Sequence, residues 1–349
     1  MVSSEALAAL KVGLPPNRFA VRGTEEYEKL NSSYLSGFES DLKPSTIFLP
    51  RSKDEVVAFL STLKPFLRHE KFAIRSAGNQ PLPGCANIQD GITVDLRLLT
   101  GIDIKDGFVR IAAGEKIGAV YEKVTAAGLG TSGSRSANGG IGGLALEGLC
   151  PLSNLTDFGM QLINLGGLSF FSTREGFICD NVLNYEIVLA SGMIVNANKD
   201  ENKSLWLALR GGGNNFGVVV SYDMKTFPQE KFWGGKLFYF YDSFPGQIDA
   251  LVNELNKPDA SPETHLMIST GYSALFGGQI MCLNQPYYLR AVENPPVLDP
   301  FTKIPQIDAM NTMRLQTLKE AGEEQAGDTQ SQVRCVYPLG EIGSELIHR

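Results

Sequence analysis

The sequence is poor in the residues that most metal and acid–base centres use. It has three histidines, His69, His265 and His348, and nothing in their spacing brings them together. That argues against a multi-His metal site and a His-based triad. Its five cysteines, Cys85, Cys150, Cys179, Cys282 and Cys335, are dispersed, with no CxxC pair. An odd, scattered set fits neither a disulfide framework nor a zinc site. Basic residues are outnumbered, 31 Lys and Arg against 38 Asp and Glu, for a net charge of −7 and no Lys/Arg run. A nucleic-acid partner is therefore not expected, since binding one needs a clustered basic surface. No apolar run reaches the roughly 18 residues of a membrane span. The N-terminus MVSSEALAALKVGLPPNRF has no basic leader region and a Glu inside its short apolar stretch, so it does not read as a signal peptide. A cytoplasmic location is the expectation. Without a leader, the sequons at Asn31, Asn154 and Asn202 read as chance matches.

What is present is an ordinary globular composition, 43% apolar and 20% charged over 349 residues, enough for about two domains. Ser52-Lys-Asp-Glu55 has the form of a capping box, and Val56, Val57, Phe59, Leu60 and Leu63 give an apolar helical face, predicting a helix over 53–65. KFAIRS, GITVDLRLL and FVRIAAG read as short strands. A helix over 116–127 should stop at Gly128 in the C′ position. LNYEIVLASGMIVNAN reads as two strands joined by a tight turn at Ser191-Gly192, LWLALR as a short helix, and GVVVSYDMKTF as a strand. Interleaved elements with short strand spacings and hairpins predict an α+β fold rather than a doubly wound parallel sheet. KLFYFY opens a region of aromatic strands and Pro-rich loops, so a domain boundary falls near 229.

Glycine is abundant, 37 residues, and it clusters at 75–84, 130–148 and 210–217. Successive main-chain N–H groups in such loops make concave anion sites. Without a Cβ the backbone can approach a ligand closely. Three such loops in one domain point to a large, partly anionic ligand held by main chain, although each alone reads as a plain loop. There is no GxxxxGK[ST]. Gly140 to Ala145 fits GxGxxA, but the polar SGSRSAN run precedes it where a dinucleotide fold needs a strand.

The ordered segments PRSKDEVVAFL (50–60), IRSAGNQPLPGCANIQDGITVDLR (74–97), VRIAAGEKIGAVYEKV (109–124), GGIGGLALEG (139–148), GGLSFFSTREGFICDNVLNYEIVLASG (166–192) and LWLALRGGGNNFGVVVSYDMKTFP (205–228) resemble the PCMH-type FAD-linked oxidoreductases, the vanillyl-alcohol oxidase and berberine-bridge-enzyme group, in its fungal branch. The resemblance implies a PCMH-type FAD-binding domain of two α+β subdomains over 43–229, after an N-terminal extension over 1–42. An antiparallel-sheet-plus-helix substrate domain, partial here, would occupy 230–349. It implies that the backbone of Ser76, Ala77, Gly78, Asn79 and Gln80 wraps the FAD pyrophosphate, and that Ser136, Gly140 and Gly143 line the cofactor. Asp180, Asn181 and Val182 would lie near the flavin and Ile187 near the adenine half. Asn215, Phe216, Gly217 and Val219 would support the closing strand. The implied activity is oxidation of a small organic molecule by hydride transfer to flavin, with oxygen as the usual reoxidant, in secondary metabolism.

The sequence departs from that family in four places. Asn79 stands where many relatives tether the flavin through His, and Ser136 where some add a Cys thioether. Non-covalent FAD is therefore expected. LCPLSNLTDFGMQLINLG (149–166) interrupts the second loop and reads as a surface excursion or a translated intron. The tail GDTQSQVRCVYPLGEIGSELIHR (327–349) does not resemble the family, whose members continue further, so a truncated substrate domain is expected. No catalytic base is assigned; Tyr239, Tyr241 and Glu263 are polar residues for which core or surface roles are expected. The alternatives carried forward are a non-catalytic flavin-binding remnant and an NAD(P)-dependent dehydrogenase using the 140–145 glycines.

Overall fold

The computed structural model describes residues 2–80, 82–146, 167–273 and 277–326. The segment 149–166 and the tail from 327 lie outside the described residues, and so do Cys150, Asn154, Cys335 and His348. The architecture is α+β, with strands in three sheets.

The first sheet has the order β1 (Phe19–Val21), β2 (Thr46–Phe48), β4 (Ile92–Asp95), β3 (Phe72–Arg75). β4 runs parallel to both β2 and β3, while β1 pairs antiparallel with β2. The helix Lys53–Leu63 forms the β2–β3 crossover and buries Val56, Phe59, Leu60 and Leu63. Ser52 caps it as expected, its Oγ accepting from Glu55 N at 3.2 Å. The Glu55 carboxylate does not complete a capping box; it accepts from Arg51 N at 2.7 Å and pairs with Arg18 at 3.0 Å. The carboxylate takes the Arg51 N–H and the charged Arg18 side chain in place of the Ser52 N–H. Residues read as an N-terminal extension are built into this unit. The helix Ser4–Gly13 buries Ala6 and Leu10 in the same core as Phe48 and Phe59.

The second sheet runs β5 (Ile102–Lys105), β6 (Phe108–Ala112), β10 (Val218–Pro228), β8 (Val182–Val188), β9 (Ile194–Asn198), with β7 (Leu129–Thr131) also on β10. All its pairings are antiparallel. The β8–β9 turn closes at Gly192, whose φ of +86° only glycine adopts cheaply. The helix Ile117–Ala126 packs Val120, Tyr121 and Val124 inward, and Gly128 follows with φ +71°.

The third sheet starts after β10, with order β12 (Leu237–Phe240), β14 (Gln279–Tyr288), β11 (Phe232–Gly234), β15 (Arg314–Gln316), and β13 (Thr264–Ser273) on β14. Arg174, from the second unit, ties the halves together. It pairs with Glu263 at 2.9 Å, donates to Gln229 and stacks on Phe171 and Phe227. No described helix is long and apolar enough to cross a membrane.

Candidate functional site

The first glycine-rich loop leaves β3 just after Arg75, whose side chain is fully buried. The Arg75 guanidinium lies 3.6 Å from the Tyr34 ring centroid and 3.8 Å from Asp95, and donates to Leu30 O and Ser33 O at 2.8 Å each. Gly78 passes over it with φ +76°; a Cβ there would stand 2.7 Å from Arg75 Nε. Ser76 Oγ donates to Ala113 O at 2.7 Å, and Leu35 N donates to Gly78 O at 3.0 Å. The loop is thus fixed by its carbonyl and hydroxyl groups. The N–H groups of Ala77, Gly78 and Asn79 have no acceptor among the described residues. Three successive unmatched N–H groups are what an anion-binding nest requires.

The second loop, 134–143, is moored from behind. Ile117 N donates to Gly139 O, Gly118 N to Ala137 O, and Ala137 N to Gly322 O in the helix Leu318–Glu324. Its glycines meet the first loop: a Cβ on Gly140 would lie 2.7 Å from Ala77 Cβ, and one on Gly142 2.7 Å from Ser76 Cβ. Asn79 Nδ2 donates to Asn138 O at 2.9 Å and joins the two loops directly. In the third loop, Gly211 N and Gly213 N both donate to Leu146 O.

These loops surround one cavity of ≈ 1280 Å³, larger than the roughly 300–1,000 Å³ typical of small-ligand pockets. Ser76, Ala77, Gly78, Asn79, Gln80, Ser136, Gly140, Gly143, Gly217 and Val219 line it together. The other candidates do not. Asp180 accepts from Phe177 N, and Asn181 donates to Glu175 O and Phe177 O. Val182 and Ile187 are buried in β8, and Asn215 donates to Gly212 O. Phe216 covers Gly212. Tyr239 is buried with its hydroxyl on Phe301 O, Glu263 is held by Arg174 and Arg290, and Tyr241 is exposed, all structural roles.

Sequence reasoning missed several lining residues. Tyr34 and Leu35 come from the N-terminal unit, Arg97 from the end of β4, and Arg135 from beside Ser136. Met267, Gln285 and Gln325 come from the third-sheet half. No local pattern marks any of them. Among the described lining residues there is no Asp, Glu or His, whereas Arg97, Lys116 and Arg135 are cations.

A dinucleotide with a doubly charged pyrophosphate fits this chemistry: unmatched N–H groups, backbone closeness at Gly140 and Gly142, and no acid among the described wall residues to repel it. The GxGxxA reading does not gain support, because the six-residue helix Ile141–Leu146 follows a loop, not a parallel strand.

Comparison with known proteins agrees with the geometry. Residues 44–156 match the FAD binding domain family. An FAD-dependent monooxygenase of Cercospora beticola is 31% identical over 342 residues, covering 94% of this chain and 61% of the relative. One of Cochliobolus heterostrophus is 34% identical over 261 residues, covering 72% of this chain and 46% of the relative. The chain therefore spans less than two thirds of the length of these relatives. The fold matches 6-hydroxy-D-nicotine oxidase of Arthrobacter nicotinovorans with a TM-score of 0.74 at 19% identity, over 90% of this chain and 65% of that one. It matches the carbohydrate oxidase of Microdochium nivale with a TM-score of 0.72 at 19% identity, over 94% and 65%. Residues 44–156 therefore carry an FAD binding domain, and the α+β fold around them is the one these solved oxidases share.

Proposed function

We propose that this chain is an FAD-dependent oxidoreductase that oxidises a small organic molecule, with molecular oxygen as final acceptor, in fungal secondary metabolism. The observation that carries the reading is the meeting of the 76–80 and 134–143 loops, so close at Gly140 and Gly142 that no side chain fits between them. Bound FAD supplies the two-electron acceptor. Ala77, Gly78 and Asn79 offer main-chain N–H groups to the pyrophosphate. Ser136, Gly140, Gly143, Gly217 and Val219 shape the wall. The Asn79 amide, committed to Asn138 O, cannot form the imidazole tether, and the Ser136 hydroxyl cannot form the thioether. The cofactor is therefore held without covalent bonds.

The purified chain should show a flavin absorbance band at near-equimolar stoichiometry. Acid precipitation should leave that flavin in the supernatant. A colourless protein refutes the reading; flavin retained in the pellet refutes the non-covalent part. A second reading, a flavin-binding chain without turnover, is favoured by the lack of Asp, Glu or His among the described lining residues. Bleaching of the flavin by an organic substrate under anaerobic conditions excludes it.

A further inference from the structure

We propose that the cavity takes an organic substrate bearing an anionic oxygen group, a carboxylate or an ionised phenol or enol, and that Arg135 binds that group. This rests on the flavoprotein reading and names the substrate class for the same cavity.

Arg135 is half-buried in the second loop, beside Ser136, with its Nη1 against Met267 Sδ on β13. Other shielded arginines of this chain have carboxylates: Arg75 and Arg97 share Asp95, Arg18 has Glu55, and Arg174 has Glu263. Arg135 has none among the described residues. Burial pulls its guanidinium below the ordinary arginine value, and the groups facing it are Tyr121, Tyr287 and His265. Burial raises both phenols, so they stay neutral. Burial, with Arg135 second, lowers His265 to about 4, so at neutral pH it carries no charge either.

Among the described residues, no carboxylate neutralises the guanidinium. Withdrawing an unpaired ion from water is unfavourable. An arriving carboxylate would recover that cost through paired N–H···O bonds. The unmatched N–H groups of Ala77 to Asn79 lie in a different loop, next to Leu35, whereas Arg135 shares its wall with Met267 of the third-sheet half. Gln325, also on the wall, donates to the Tyr287 hydroxyl and accepts from Gln285, both at 2.8 Å. This polar rim orients a planar ligand without adding charge. The anionic oxygen could instead be the cofactor's, so the test separates the two sources.

The experiment uses the full chain, with flavin content measured first, and titrates benzoate against benzamide by thermal shift and flavin absorbance. Wild type should bind benzoate at least about tenfold tighter than the uncharged amide, a difference of about 1.4 kcal/mol. Arg135→Gln should abolish that preference and Arg135→Lys restore part of it, with flavin content unchanged in both. Equal binding of the two probes by wild type, or a benzoate preference surviving in Arg135→Gln, overturns the proposal. Loss of flavin from Arg135→Gln without any benzoate preference in wild type assigns the cation to the cofactor, which also overturns it. If Arg135→Gln does not fold, wild type and Arg135→Lys still decide. A protein without flavin refutes the flavoprotein reading separately, because the thermal-shift comparison still tests Arg135.

Discussion

Replacing Gly140 by Ala tests the two-loop cavity with a single methyl group. The backbone at Gly140 is not in the left-handed region, so alanine carries no conformational penalty there. Its Cβ would lie 2.7 Å from Ala77 Cβ, 2.9 Å from Ser76 Oγ and 3.1 Å from Ala77 N. Ordinary carbon contacts are about 3.5–4.0 Å, so the loops must part by roughly 1 Å. The neighbours are a short side chain and main chain, which cannot swing away. Overpacking of this kind costs about 1–3 kcal/mol. At about 1.4 kcal/mol per tenfold, FAD binding should weaken by about 5- to 150-fold if the strain falls on the bound arrangement. The assay is a fluorescence titration of flavin-stripped protein with FAD, alongside its melting temperature. An FAD affinity within about twofold of wild type and an unchanged melting temperature would refute the argument that these loops must touch.

Gly246→Ala is the matched control: nothing lies within 4 Å of the added methyl, and the site is in the helix Phe244–Leu255. It should raise stability by about 0.5–1 kcal/mol in chemical denaturation and leave FAD affinity alone. Arg174→Ala should cost about 1.5–3 kcal/mol, because it strips Glu263 of one of its two arginines; a loss under about 0.5 kcal/mol in urea unfolding would show the halves are held otherwise. His265 titrates near 4 instead of 6.5 in the folded chain because it is buried. Between those values the unfolded chain binds a proton that the folded chain does not, so stability falls as pH drops from 6.5 to 4. The loss is on the order of 3 kcal/mol. Melting temperature against pH should therefore be flatter in His265→Gln, and identical acid limbs would remove His265 as the cause.

Features set within one or two turns of chain were legible in the sequence. The Ser52 cap, the Gly128 stop and the Ser191-Gly192 hairpin depend only on near neighbours, and composition marks them. Glycine-rich loops were legible for a related reason: close approach of backbone leaves a compositional trace even when the partner is distant. The identity of that partner was not legible. Glu55 turns to Arg18, 37 residues away, and the cavity draws Tyr34, Arg135 and Met267 from separate units. Asp180, Asn181 and Val182 entered by resemblance, but in the structure their side chains serve a local turn and the β8 core. None of the three is among the residues that line the cavity.

The mooring of the second loop also sets an order of events in synthesis. Asn138 Nδ2 donates to Ala326 O across 188 residues, and Ala137 N waits for Gly322 O. The anchors from Ile117, Gly118 and Asn79 are available early, but nearly the whole described chain must be made before the loop gains these last two. Until then the wall that faces Ser76 and Ala77 has one side loose. A chain cut near 229 would therefore keep both loops in contact but lose the two hydrogen bonds that brace the second loop from residues 318–326.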